Sequence, residues 1–136
     1  MKIEEWNELD EYQKDNVCIN KKLNIKFIKQ YWKELNKEQR NSICMYQKLD
    51  TEFIEQHWNS LDKEQRDNVC MFQKLNIKFI NQVWDELDKH QRKYICKYQN
   101  LDTSFIKQHW NELEEFQKDI IKTKVDTLTK FILLGL

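Results

Sequence analysis

Cys18, Cys44, Cys70 and Cys96 stand 26 residues apart, and thiols spaced so regularly raise two chemistries, metal ligation and disulfide exchange. Neither fits the spacing. The chain has no C-x-x-C or H-x-x-x-H pair, and thiols one repeat apart would sit about one helix spacing, ~8–10 Å, from each other, beyond disulfide reach. They read as buried structural thiols. His57 and His109 occupy the place that Tyr31 and Val83 hold in sister copies, and a position that accepts Tyr and Val serves packing. Cys70 and His57 could form a nucleophile and its base, but no third group orients them. No enzymatic activity is expected, with no catalytic residue, metal or cofactor.

Two further rows of polar side chains recur at the same step. Gln30, Gln56, Gln82 and Gln108 form one set of amides, and Gln47, Gln73 and Gln99 another. Amides at fixed height suit hydrogen bonds between neighbouring helices or to the carbonyls at helix ends. Lys14, Arg40, Arg66, Arg92 and Lys118 form a basic row, which Lys37, Lys63, Lys89, Lys93 and Lys97 widen. A solvated face is the plain reading of that row, and a surface for an anionic partner is the functional one. Lys37, Arg40, Lys63, Arg66, Lys89, Arg92 and Lys93 are its candidate partner-binding residues. One base per repeat, as in helical RNA readers, would also need an aromatic exposed at the same place in each copy. No such aromatic is expected.

The elements that carry these rows follow from one phrase told several times. Trp6, Trp32, Trp58, Trp84 and Trp110 are each 26 residues apart without insertion or deletion. The unit reads L-[DN]-x-x-F-I-x-Q-x-W-x-x-L and continues Q-[RK]-x-x-[IV]-C-x-[YF]-Q. A fixed period of that length marks stacked structural repeats. Each copy holds two helix starts. Asp50 caps the first, with Leu49 and Ile54 spaced as a hydrophobic staple, and Asp62 with Gln65 has capping-box spacing for the second. The box recurs at Asp10/Gln13, Asn36/Gln39 and Asp88/Gln91, and weakens at Glu114/Gln117.

The first helix places Ile54, Trp58 and Leu61 on one stripe, and the second places Gln65, Val69 and Phe72. Helices of about ten residues, ~15 Å long, are unstable alone, so each pair must bury its aromatic face on its neighbours. A single long helix with a right-handed supercoil is the rival, but it would strand two caps per unit inside a helix. The expected fold is therefore all-α, an α-solenoid of tandem 26-residue helix-turn-helix repeats. Trp6, Trp32, Trp58, Trp84, Trp110, Phe27, Phe53, Phe79 and Phe105 form its core. One repeat domain spans 1–136: a truncated copy 1–22, full copies 23–48, 49–74, 75–100 and 101–126, and a capping helix 127–136. Net charge alternates from copy to copy, and Lys26, Glu52, Lys78 and the pair Lys29, Glu55 suggest contacts that set register.

The totals exclude several classes. Twenty-three basic and 23 acidic residues cancel, which disfavours a binder held by phosphate contacts. With no proline and the single Gly135, little interrupts a helix. No run of 18 apolar residues exists to span a membrane, and the polar start "MKIEEWNELDEYQK" is no signal peptide, so a cytoplasmic protein is expected.

From "MYQKLDTEFIEQHW" onward, the frame L-x-x-x-F-I and [YF]-Q-[KN]-L resembles short tandem repeats found in proteins of giant viruses and some phages. The resemblance covers residues 23 to 117. Those repeats carry serine after the leucine and have a shorter unit, whereas Asp or Asn stands here and "KEQR" lengthens the second helix. It implies a viral or phage origin and supplies no active site. The expected function is a protein-binding scaffold that engages or inhibits a host protein in the host cytoplasm. A nucleic-acid-binding array on the Arg/Lys row is one alternative. Self-assembly is the other, with Phe131, Ile132, Leu133, Leu134 and Leu136 docking on the open N-terminal copy of another chain.

Overall fold

The computed structural model describes residues 1–125, and the self-association residues Phe131 to Leu136 lie outside them. The described chain is all-helical and falls into two compact units, Met1–Lys74 and the residues from Leu75 onward, divided at a boundary between 26-residue copies. The N-terminal unit holds α1 (Ile3–Asn7), α2 (Glu11–Asn20), α3 (Ile25–Tyr31), α4 (Lys37–Tyr46), α5 (Thr51–His57) and α6 (Lys63–Phe72). The C-terminal unit holds α7 (Ile77–Val83), α8 (Lys89–Tyr98), α9 (Thr103–His109) and α10 (Glu115–Lys124).

Both kinds of helix start where the caps stand. Asn36 Oδ1 accepts from the Gln39 N–H at 2.8 Å, and Gln39 Oε1 accepts from the Asn36 N–H at 3.1 Å. Asp10, Asp62 and Asp88 make the same reciprocal pair with Gln13, Gln65 and Gln91. At Glu114 the Gln117 oxygen still accepts from the backbone N–H, at 2.9 Å. The first helices are capped by Asn24, Asp50, Asn76 and Asp102. These side chains satisfy donors that a helix cannot pair internally. A rod running through Asp50 and Asp62 is thereby excluded.

The first helix of each full copy is shorter than ten residues. It runs for seven and then tightens into a three-residue 3-10 turn led by the tryptophan, as at Trp32–Glu34 and Trp58–Ser60. In that turn the Leu35 N–H donates to the Trp32 carbonyl at 3.2 Å, and the Arg40 Nε donates to the same oxygen at 3.0 Å. The tighter turn swings the chain from one helix into the next with the tryptophan carbonyl satisfied.

In the N-terminal unit α4 packs between α2 and α6. Trp6 meets Phe27 edge-on with ring centres 5.5 Å apart, and Trp32 meets Phe53 at 5.0 Å and 87°. Ile28, Ile54, Ile43 and Val69 have no exposed surface. In the C-terminal unit α8 packs on α10, and Trp84 meets Phe105 at 5.1 Å and 88°. Burying each such side chain stabilises by ~1.5–3 kcal/mol, which helices this short need from their neighbours.

Phe72 and Trp110 depart from the expected core. Phe72 is 51% exposed although its spacing put it on the inner stripe. As the last residue of α6 it turns outward, and Gln73 takes the inner place. Trp110 is half-buried, with the Lys118 and Lys122 ammonium groups 5.6 and 5.9 Å from its ring centre. The other four tryptophans and Phe27, Phe53, Phe79 and Phe105 are buried.

Candidate functional site

Of the repeated polar side chains, the amides at the ends of the second helices form the tightest constellation. Gln47 Oε1 accepts from the Leu23 N–H at 2.9 Å, while its Nε2 donates to the carbonyls of Cys18 and Lys21, both at 2.8 Å. Gln73 repeats this one copy later, with the Leu49 N–H at 2.9 Å and the carbonyls of Cys44 and Gln47 at 2.8 and 2.7 Å. One amide therefore joins the end of the preceding second helix to the start of a first helix. In the C-terminal unit Gln99 accepts from the Leu75 N–H at 2.9 Å. Val125 stands where the next glutamine would, and Lys124 Nζ replaces it, donating to the Cys96 and Gln99 carbonyls at 2.7 Å each. Burial there pushes the Lys124 ammonium below the usual lysine range. The other amide row, Gln30, Gln56, Gln82 and Gln108, is exposed and takes no part.

The thiols lie under this ladder. All four are buried. Burial pushes the Cys18 and Cys44 thiols up to about 12, and Cys96 up to about 11. For Cys18, Cys44 and Cys96 burial thus favours the protonated thiol at neutral pH, the less nucleophilic form. His57 packs its ring on Phe53 at 4.4 Å and Trp32 at 5.8 Å, and burial with the nearby Arg40 and Lys33 charges holds it below the usual histidine range. His109 is buried against Trp84 and Phe105, with Nε2 at 3.1 Å from Asn81 Oδ1 and Nδ1 against the Glu112 carboxylate. Among the described residues no three His, Cys, Asp or Glu side chains cluster as metal ligands would.

The basic row divides by residue type. Lys37 and Lys63 are exposed in the first turns of α4 and α6, and Lys63 pairs with Asp67 at 2.9 Å. In the C-terminal unit Lys89 is exposed and lies 3.6 Å from Glu114, while Lys93 is half-buried. The arginines turn inward instead. Arg40, Arg66 and Arg92 each donate to the carbonyl of the tryptophan eight residues before, and their guanidinium centres lie 5.3, 4.8 and 4.7 Å from those indole rings. Part of the candidate face is thus engaged in holding each helical pair together. The register charges also meet differently from the expected pairing: Lys29 Nζ reaches Asp50 at 3.0 Å and Glu52 at 4.0 Å.

The chain matches no family model, no curated protein and no solved structure. No helix of the described residues is long and apolar enough to cross a membrane.

One row escaped the sequence reading. Tyr46 and Phe72 in the N-terminal unit, and Tyr98 in its own unit, are 55%, 51% and 49% exposed at one repeat position. The signal was present: the same position holds Asn20 and Lys124, whereas the buried position three residues earlier holds only Val or Ile.

Proposed function

We propose that this protein is a non-enzymatic, protein-binding α-solenoid acting in the cytoplasm. The observation that carries the reading is the glutamine clasp. Gln47 and Gln73 tie successive copies by the same three hydrogen bonds, so copies follow one register and present equivalent outward positions side by side. The repeated thiols are buried, as are the Gln47 and Gln73 amides of the clasp, which supports a scaffold. The resemblance to viral and phage repeats makes a host protein the natural partner. Binding to such a surface is spread over several copies and concentrated in a few anchors. The test is capture from host extract with the tagged full chain, read by mass spectrometry and native mass. A stoichiometric protein complex is expected. Retention of nucleic acid alone, lost steeply with salt, would replace this reading with the nucleic-acid one.

A specific observation favours self-association as a second reading. Gln13 is exposed while Gln39 and Gln65, its equivalents on α4 and α6, are buried, and Val17 is half-buried while Ile43 and Val69 are fully buried. The outer side of α2 thus carries core-type residues that a helix of the same repeat type would cover. Sedimentation across concentrations, with wild type and Val17→Lys, tests it: concentration-dependent assembly lost in the variant supports it, and a monomer throughout removes it.

A further inference from the structure

The edge of the N-terminal unit where the second helices end combines three features that neither the clasp nor the core uses. Ile19, Tyr46 and Phe72 project there, 41%, 55% and 51% exposed. Two grooves lie between them, one running from Ile19 to Tyr46 and the other from Tyr46 to Phe72. Lys21, Lys22 and Lys48 line the first, and Lys48 and Lys74 the second. No carboxylate lines either groove. Asp50, the next acid along the chain, is held by the Phe53 N–H and by Lys29. In a chain whose charges cancel overall, this edge is apolar and one-sidedly cationic.

We infer that this edge docks an acidic peptide segment of a partner protein, one in which Asp or Glu alternates with bulky apolar side chains. The inference rests on the protein-binding reading and names the chemistry of the partner. The Tyr46 and Phe72 rings are the anchors, because large half-exposed aromatics beside a groove gain most from being covered. The lysines select against basic segments and speed encounter. Apolar grooves interrupted by two or three lysines match a chain whose charges are interrupted by apolar side chains. A single-stranded nucleic acid carries a charge at every nucleotide and would require a denser cationic track.

The test uses the full chain and a fluorescein-labelled dodecapeptide of alternating Glu and Leu or Phe, read by anisotropy. A peptide with Lys in place of Glu and a labelled oligothymidine serve as comparisons. Wild type should bind the acidic peptide and neither comparison ligand. The double variant Tyr46→Asn with Phe72→Asn should weaken binding at least tenfold while keeping its circular dichroism, since Asn20 already occupies the equivalent place. Lys48→Glu with Lys74→Glu should weaken it similarly and reduce its salt dependence, Lys21 and Lys22 remaining. Lys33→Glu with Lys107→Glu, exposed and lining neither groove, should change it less than twofold. Absence of acidic-peptide binding, indifference to both edge variants, or tighter binding of oligothymidine would each overturn the inference. Capture of a host protein that survives the edge variants would leave the scaffold reading standing and remove this one, whereas capture of no protein would remove both.

Discussion

Gln73 Oε1 accepts a hydrogen bond from the Leu49 backbone N–H at 2.9 Å across 24 residues of chain. The same amide donates twice to carbonyls at the end of α4. Gln73→Met keeps the volume and removes all three bonds, leaving buried backbone groups without that partner. The cost should be about 2–4 kcal/mol, given ~1–3 kcal/mol for each orphaned buried group and partial relaxation. Urea unfolding followed by tryptophan fluorescence measures it. A change below about 0.5 kcal/mol, the range of ordinary surface substitutions, would show that the clasp is incidental.

The thiols should respond to pH at the alkaline end. Cys18 and Cys44 are pushed from 9.0 up to about 12 by burial, so the folded state holds protons that the unfolded chain releases first. Their contribution is full below pH 9 and is lost as pH rises from about 9 to about 12. The urea midpoint should therefore fall between pH 8 and pH 10.5, less so in Cys44→Ala. Iodoacetamide at pH 8 should leave native thiols unmodified and label all four in urea.

His57 predicts a loss at the acid end. Its folded pKa is lowered from 6.5, so the unfolded state takes up a proton first as pH falls. Stability is full above pH 6.5 and declines as pH falls below that value towards the lowered folded one. Val83 fills the equivalent position. His57→Val should keep the fold and flatten the stability difference between pH 8 and pH 5.5, measured by thermal melts. An unchanged difference would assign the acid sensitivity to other groups.

Arg40 should behave as a structural residue first. Its Nε and Nη2 donate to the Trp32 and Lys33 carbonyls at 3.0 Å each, and it lies over the Trp32 ring. Lysine cannot reproduce that fork, so Arg40→Lys should cost about 1 kcal/mol. The fold should survive, because Lys14 and Lys118 hold the equivalent places. Unchanged stability with lost partner binding would instead make Arg40 a contact residue.

The helix starts were legible because capping is local. An Asp or Asn three residues before its backbone partner needs no information from the rest of the chain, as Asn36 with Gln39 shows. The buried identity of Ile43, Val69 and Trp32 was legible for a similar reason, since repetition at 26 residues exposes which positions accept only apolar side chains. The outward turn of Phe72 was not, because helical spacing carries a stripe through the last helical residue and does not show that Gln73, just beyond it, takes the inner place. Nor was the inward turn of Arg40 and Arg66, since a charged residue's pattern on a helix does not say whether a carbonyl waits within reach.

The amino-acid sequence by itself determined the period, the helix starts and most of the inner stripe, all set by neighbours within about a turn or by repetition. Tertiary packing alone decided which repeated polar groups are structural and which face water. Gln47 and Gln73 bridge residues 24 to 29 positions away and take the inner place, while the adjacent Tyr46 and Phe72 are exposed. Such partners are brought within hydrogen-bond distance by the stacking of one helix on another, which no local pattern encodes.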